Sequence, residues 1–195
     1  GYVNVPYLTG SLLGLSNIFG TLLVLGIPMG MYSKFLVQER ETSERLLHNI
    51  MPKQIAEILK NSSEPVALEN PDISVMMADI VNFTSFSDNV SAENVVKLLN
   101  DIFSRFDEVV LEYNVEKIKT IGDAYMVVAG LPEARADHAQ ILVDISDKFI
   151  EIASEYNDHE GKPIQIRIGI HSGPAVSGVI GKSKFAFDVW GDTIN

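Results

Sequence analysis

Two carboxylates stand out by their placement. Asp79 lies near the end of an apolar run from Ile73 to Ile80, within Met77-Ala78-Asp79-Ile80-Val81-Asn82-Phe83-Thr84. Asp123 lies in Gly122-Asp123, between the short apolar segments Val115–Ile121 and Ala124–Ala129. A carboxylate closing a buried strand is costly unless it faces a rim or a ligand. Two such oxygen donors close together, without His or Cys, suit Mg²⁺ held jointly with substrate phosphates. A plainer reading also fits: Asp123 is a good turn residue, and Asp79 could cap a helix. Spacing alone leaves both readings open.

The elements that must position these residues follow from periodicity. Ile73–Ile80 has the length and continuous apolar character of a strand buried on both faces. Residues 92–113 place Val95, Leu98, Leu99, Ile102, Phe106, Val109, Val110 and Tyr113 at helical spacing, and Ser91 can cap the start. Val115–Ile121 and Ala124–Ala129 around Gly122-Asp123 predict a hairpin. Ala139–Tyr156 predicts a second helix, closed by Gly161. Strands are expected at Ile164–His171, Ala175–Ile180 and Phe185–Val189. The order β-α-β-β-α-β with extra strands is that of a ferredoxin-like α+β domain, in which the first strand lies beside the hairpin and both carboxylates converge.

The chain has 195 residues and a net charge of −11, all carried after Ser33. An acidic domain argues against nucleic acid as a partner, because phosphates would be repelled. Without cysteine there are no disulfides and no thiolate metal sites. Leu12–Met31 is uncharged and 20 residues long, enough to cross a bilayer core as a helix. Lys34 and Arg40 follow it, which places the remainder in the cytoplasm by the positive-inside rule. A helix is expected from Phe35 to Leu59, interrupted at Pro52, and Asn61-Ser62-Ser63-Glu64-Pro65 reads as a linker. The expected organisation is therefore a transmembrane helix at 1–34, a signalling helix and linker at 35–64, and a globular domain at 65–195.

Two apparent motifs carry no chemistry. Gly181-Lys182-Ser183 lacks the earlier glycine of a phosphate-binding loop, because position 176 is Val. The four histidines have no metal-ligand spacing.

Four segments in order resemble the class III nucleotide cyclases, and specifically adenylyl cyclases. They are Leu46-Leu47-His48-Asn49-Ile50-Met51-Pro52, Asp79-Ile80-Val81-Asn82-Phe83-Thr84, Lys117-Ile118-Lys119-Thr120-Ile121-Gly122-Asp123-Ala124-Tyr125-Met126, and Asp188-Val189-Trp190-Gly191-Asp192-Thr193-Ile194-Asn195. The resemblance covers about residues 40–195. It implies conversion of ATP to cyclic AMP and pyrophosphate, with two Mg²⁺ or Mn²⁺ ions held by Asp79, Asp123 and the Ile80 carbonyl. Backbone amides near Phe83 and Thr84 would contact phosphates. Lys119 and Asp188 match the pair that reads adenine, and Asn195 matches the residue that orients the ribose. An ammonium suits a ring-nitrogen acceptor and a carboxylate suits the amino group; guanylyl cyclases usually carry Glu and Cys at these places. One subunit would give the metal ligands and the other the base-reading residues, so a chain carrying both sets implies a homodimer.

The family has Gly where Asn82 stands, and Asn tolerates the left-handed region that such a turn needs. The family also places an Arg four positions after the Asn195 equivalent. The chain as given stops at Asn195, so the expectation is that it is inactive by itself. The competing readings are a guanylyl cyclase, and a non-catalytic module that uses the fold to dimerise.

Overall fold

Helical periodicity and strand alternation divide the chain into two units, residues 1–49 and 50–195. The computed structural model describes residues 7–48, 51–61, 66–181 and 184–195. Most of the expected linker, and Lys182-Ser183 of the expected turn, lie outside the described residues. The first unit is one helix, α1 (Tyr7–His48), which runs through Pro28. Residues Ile18–Leu47 of it are long and apolar enough to cross a membrane by length and composition. Met51 and Pro52 are non-helical, and α2 (Lys53–Asn61) begins immediately after the proline. The expected interruption at Pro52 is therefore present.

The second unit is built on an antiparallel five-stranded sheet. Its elements are β1 (Val66–Ile80), α3 (Phe83–Asp88), α4 (Ala92–Glu112), β2 (Glu116–Ile121), β3 (Ala124–Ala129), α5 (His138–Ser154), β4 (Ile166–Ile180) and β5 (Ala186–Trp190). The strand order is β2-β3-β1-β4-β5, which is the ferredoxin-like arrangement with one strand added beyond β4. The α+β expectation holds, and Ser91 caps α4 by accepting from the Asn94 amide at 3.4 Å.

Three boundaries differ from expectation. β1 starts at Val66 rather than Ile73, and the two strands expected across 164–180 are one. Pro71 lies just before the expected first strand and Pro174 between the two later ones. Both prolines fall at a single irregularity in the β1–β4 ladder, where the register shifts between Asn70 and Ile73. A proline lacks the amide that a regular ladder needs, and a bulge tolerates that lack. The second helix ends at Ser154, seven residues before Gly161, and Gly161 instead closes a turn by donating to Asp158 O at 3.1 Å.

Alternation sorts the sheet into two faces. Met76, Ala78, Ile80, Tyr125, Val127 and Ala129 face α4 and α5 and form the core with Ile102, Phe106, Leu142, Ile145 and Phe149. Phe106 and Phe149 stack at 3.7 Å between ring centroids, with Tyr125 edge-on to both. Ser74 ties α5 to the sheet: its hydroxyl lies 2.7 Å from His138 Nδ1 and 2.5 Å from the Ser172 hydroxyl. Asp79 and Arg167, paired across β1 and β4 and alternating with these core residues, point to the opposite face.

Glu116 lies opposite Val128 at the start of β2. Burial pushes its carboxyl up to about 7 from the ordinary 4.5. The folded chain thus holds this proton more tightly than the unfolded one. The stability it contributes is present below about pH 4.5 and is lost as pH rises towards 7. Glu116→Gln should therefore raise the urea midpoint more at pH 8 than at pH 5.5. An equal gain at both values would refute the assignment.

Candidate active site

Asp79 occupies the last turn of the sheet ladder before β1 ends. It pairs with Ala124 of β3 on one side and with Arg167 of β4 on the other. Ala124 immediately follows Asp123, so the hairpin turn delivers the second carboxylate beside the first. Gly122 makes that turn possible with φ 64°, a backbone conformation glycine adopts without strain. Burial, and then the neighbouring Asp79, push the Asp123 carboxyl above its ordinary range, while the Asp123 and Ile80 amides pull it back. Holding both carboxylates ionised there calls for a cation.

Arg167 partly meets that need. Its Nη2 donates to Asp79 Oδ2 at 2.6 Å, with Arg167 itself 74% exposed. Sequence reasoning did not single out this arginine. Its one signal is a cation among apolar residues in Ile166-Arg167-Ile168-Gly169-Ile170, and only strand pairing reveals what it faces.

Lys119 and Asp188 form a second constellation. Lys119 Nζ donates to Asp188 Oδ2 at 2.5 Å, and Asp188 is only 18% exposed. They belong to β2 and β5, the two opposite edges of the strand order. Two local features let them meet. The β2–β3 register shifts between Lys117 and Lys119, so Ile118 is an extra residue. Lys117 then points to the helical face, donating to Asp107 at 2.6 Å, while Lys119 points to the other. In a regular strand, residues two apart would share a face. The second feature is Gly178, paired with Asp188: a Cβ there would lie 2.3 Å from Val66 O. Only a bare backbone lets β4 run this close to β1 at that level.

Beyond Ile80, Asn82 adopts φ 59° and ψ 27°, the left-handed conformation expected of it. This reverses the chain into α3, which begins at Phe83-Thr84. Asp79 is not a helix cap; the cap position is Asn82, and it makes no side-chain cap bond. The Thr193 hydroxyl donates to Pro174 O at 2.5 Å and anchors the turn after β5. Asn195 follows that turn and is exposed. Among the described residues no hydrogen bond joins it to Lys119, Asp188 or the carboxylate pair.

Residues 66–195 match the family described as the adenylate and guanylate cyclase catalytic domain. The chain belongs to this family. It is 41% identical over 158 residues to an adenylate cyclase of Mycobacterium tuberculosis, covering 80% of this chain and 36% of that protein. It is also 41% identical over 162 residues to the receptor-type guanylate cyclase gcy-28 of Caenorhabditis elegans, covering 80% and 12%. Among solved structures, the catalytic core of a rhodopsin-guanylyl cyclase with converted specificity, in complex with ATPαS, superposes with a TM-score of 0.62. That match is 37% identical and covers 68% of this chain and 71% of the other. The chain thus spans about a third or less of the length of these curated relatives.

Cyclase catalytic domains generally use divalent metal ions. Among the described residues no group of three or more His, Cys, Asp or Glu is placed to hold one. Asp79 and Asp123 nevertheless fit such an ion, since they offer hard oxygen donors whose mutual repulsion a dication would relieve.

The left-handed turn at Asn82 generates a stability prediction. Asn82→Gly should be tolerated, whereas Asn82→Val should cost about 1–2 kcal/mol, because a β-branched side chain resists this conformation. Urea denaturation monitored by circular dichroism measures the difference. Equal midpoints for the two variants would contradict the strain argument.

Proposed function

We propose that this cyclase domain is an adenylyl cyclase, converting ATP to 3′,5′-cyclic AMP and pyrophosphate. The observation that carries this reading is the Lys119–Asp188 pair, aligned at 2.5 Å and half-sheltered in the same chain as the Asp79–Asp123 pair. An ammonium and a carboxylate side by side present a donor and an acceptor to one edge of a base. Adenine matches that order, with a ring-nitrogen acceptor and an amino donor. Guanine, with a carbonyl and a ring N–H, calls for the reverse.

In this reading Asp79, Asp123 and the Ile80 carbonyl hold two Mg²⁺ or Mn²⁺ ions. When bound, these ions supply charge neutralisation of the triphosphate and acidify the ribose 3′-hydroxyl. The residues of the chain do the positioning. Amides at Phe83 and Thr84, just after the left-handed turn, donate to phosphate oxygens. Lys119 and Asp188 fix the base, and Asn195 fixes the ribose so that its 3′-oxygen faces the α-phosphorus. The 3′-oxygen forms a bond to phosphorus as the bond to the pyrophosphate oxygen breaks, and the hydroxyl proton leaves to solvent. Alignment of this kind replaces an entropic cost that free reactants would meet.

A single chain carries both halves of the constellation. The sheet face that holds them lies opposite the helices, so two copies packed face to face would complete two equivalent sites. We place the domain on the cytoplasmic side of a membrane anchored by α1, with 35–64 linking anchor and domain at residue 65. Intracellular cyclic-nucleotide signalling is the setting this implies.

The test is turnover of Mn²⁺-ATP and Mn²⁺-GTP by the purified protein. Cyclic AMP should exceed cyclic GMP, and Asp123→Asn should reduce it by at least ~100-fold. Dominant cyclic GMP would favour the guanylyl reading. No product from a folded dimer would favour a non-catalytic dimerising module.

Base selection has its own test. Lys119→Glu combined with Asp188→Cys should lower ATP turnover and raise GTP turnover. Unchanged ATP turnover would show that this pair does not read the base.

A further inference from the structure

Arg167 contributes a charge that the reaction scheme above does not use. It lies directly across the β1–β4 ladder from Asp79. Its guanidinium reaches Asp79 Oδ2 at 2.6 Å, and the Asp79–Ala124 pairing sets Asp123 next to Asp79. A fixed cation therefore occupies one oxygen of the carboxylate pair. Register holds it there: the strand backbone sets Arg167 opposite Asp79 whatever the side chain does. The guanidinium is 74% exposed and Asp79 is 33% exposed, so the contact is open to exchange with solvent ions.

We propose that Arg167 is the resident counter-ion of the Asp79–Asp123 pair and sets its affinity for divalent cations by competing with them. The proposal rests on the reading of these carboxylates as metal ligands. In the metal-free protein the guanidinium balances Asp79. A dication entering the site must displace the Asp79–Arg167 hydrogen bond and then tolerate a positive neighbour. Both effects weaken binding in the absence of nucleotide. Arg167 is thus a positioning residue that acts through Asp79, and it biases the site against holding a metal ion before substrate arrives. A guanidinium and a dication compete for the same oxygen by charge, so a lysine at 167 should compete as well, while an uncharged residue should not.

The experiment is Mn²⁺ binding to the full chain in detergent without nucleotide, read from the loss of the free-ion electron paramagnetic resonance signal. Arg167→Gln should bind Mn²⁺ about three- to tenfold more tightly than the parent, in keeping with the modest strength of an exposed pair. Arg167→Lys should return the affinity to near the parent value, which a purely structural role for the arginine would not predict. Asp123→Asn should weaken binding in both backgrounds. If Arg167→Gln binds Mn²⁺ no more tightly than the parent while Asp123→Asn loses it, the competition is refuted and the metal site stands. If Asp79→Asn and Asp123→Asn both bind as the parent does, the metal reading fails, and the proposal with it. Circular dichroism of each variant confirms that the comparison is between folded proteins.

Discussion

The register of β1 is the constraint on which the rest depends. This strand is central, paired on one side with β3 and on the other with β4. Its even-numbered residues Met76, Ala78 and Ile80 fill the core under α4 and α5. Because alternation has a period of two, a slip of one residue would drive Asp79 into that core and expose its neighbours. Burial of the apolar set therefore locks Asp79 to the open face. The same register sets Ala124, and hence Asp123, on one flank and Arg167 on the other. Hydrophobic packing on one side of the sheet thus fixes the electrostatics on the other side.

The Lys119–Asp188 pair is secured by a different device. A regular β2 would send Lys117 and Lys119 to one face. The extra residue at Ile118 separates them. Lys117 joins Asp107 and lies 4.8 Å from the Tyr125 ring centroid, and the Tyr125 hydroxyl also donates to Asp107. That network holds the hairpin against α4. It leaves Lys119 free to cross to β5 on the other face. Asp188 pairs with Gly178, where β4 runs too close to β1 for a side chain. An irregularity and a missing Cβ achieve what ideal strands could not.

The two constellations differ in how they balance charge. Lys119 and Asp188 neutralise each other, so their pocket is electrostatically complete in the free protein. Asp79 and Asp123 carry like charge, and one guanidinium answers only part of it. A site left partly uncompensated is poised for a cation, and burial around Asp123 sharpens the need. The left-handed turn at Asn82 then brings backbone amides to the same end of the sheet, where anions would be met.

Sequence by itself determined the α+β order, the helix starting after Ser91, the hairpin at Gly122-Asp123 and the tolerance of Asn82 for a left-handed turn. Each of these follows from local periodicity or from one residue's backbone preference. Motif order also carried the family resemblance and pointed to Asp79, Asp123, Lys119 and Asp188. Sequence started the first strand at Ile73 and split 164–180 in two. Only strand pairing shows that both places fall at one bulge, where the missing amides of Pro71 and Pro174 do no harm. It likewise passed over Arg167, whose significance lies in facing Asp79 from 88 residues away. The meeting of β2 and β5 was equally hidden, because it depends on the register shift at Ile118 and the close approach at Gly178. Local preference is written residue by residue, whereas register and cross-strand charge exist only once distant segments pair.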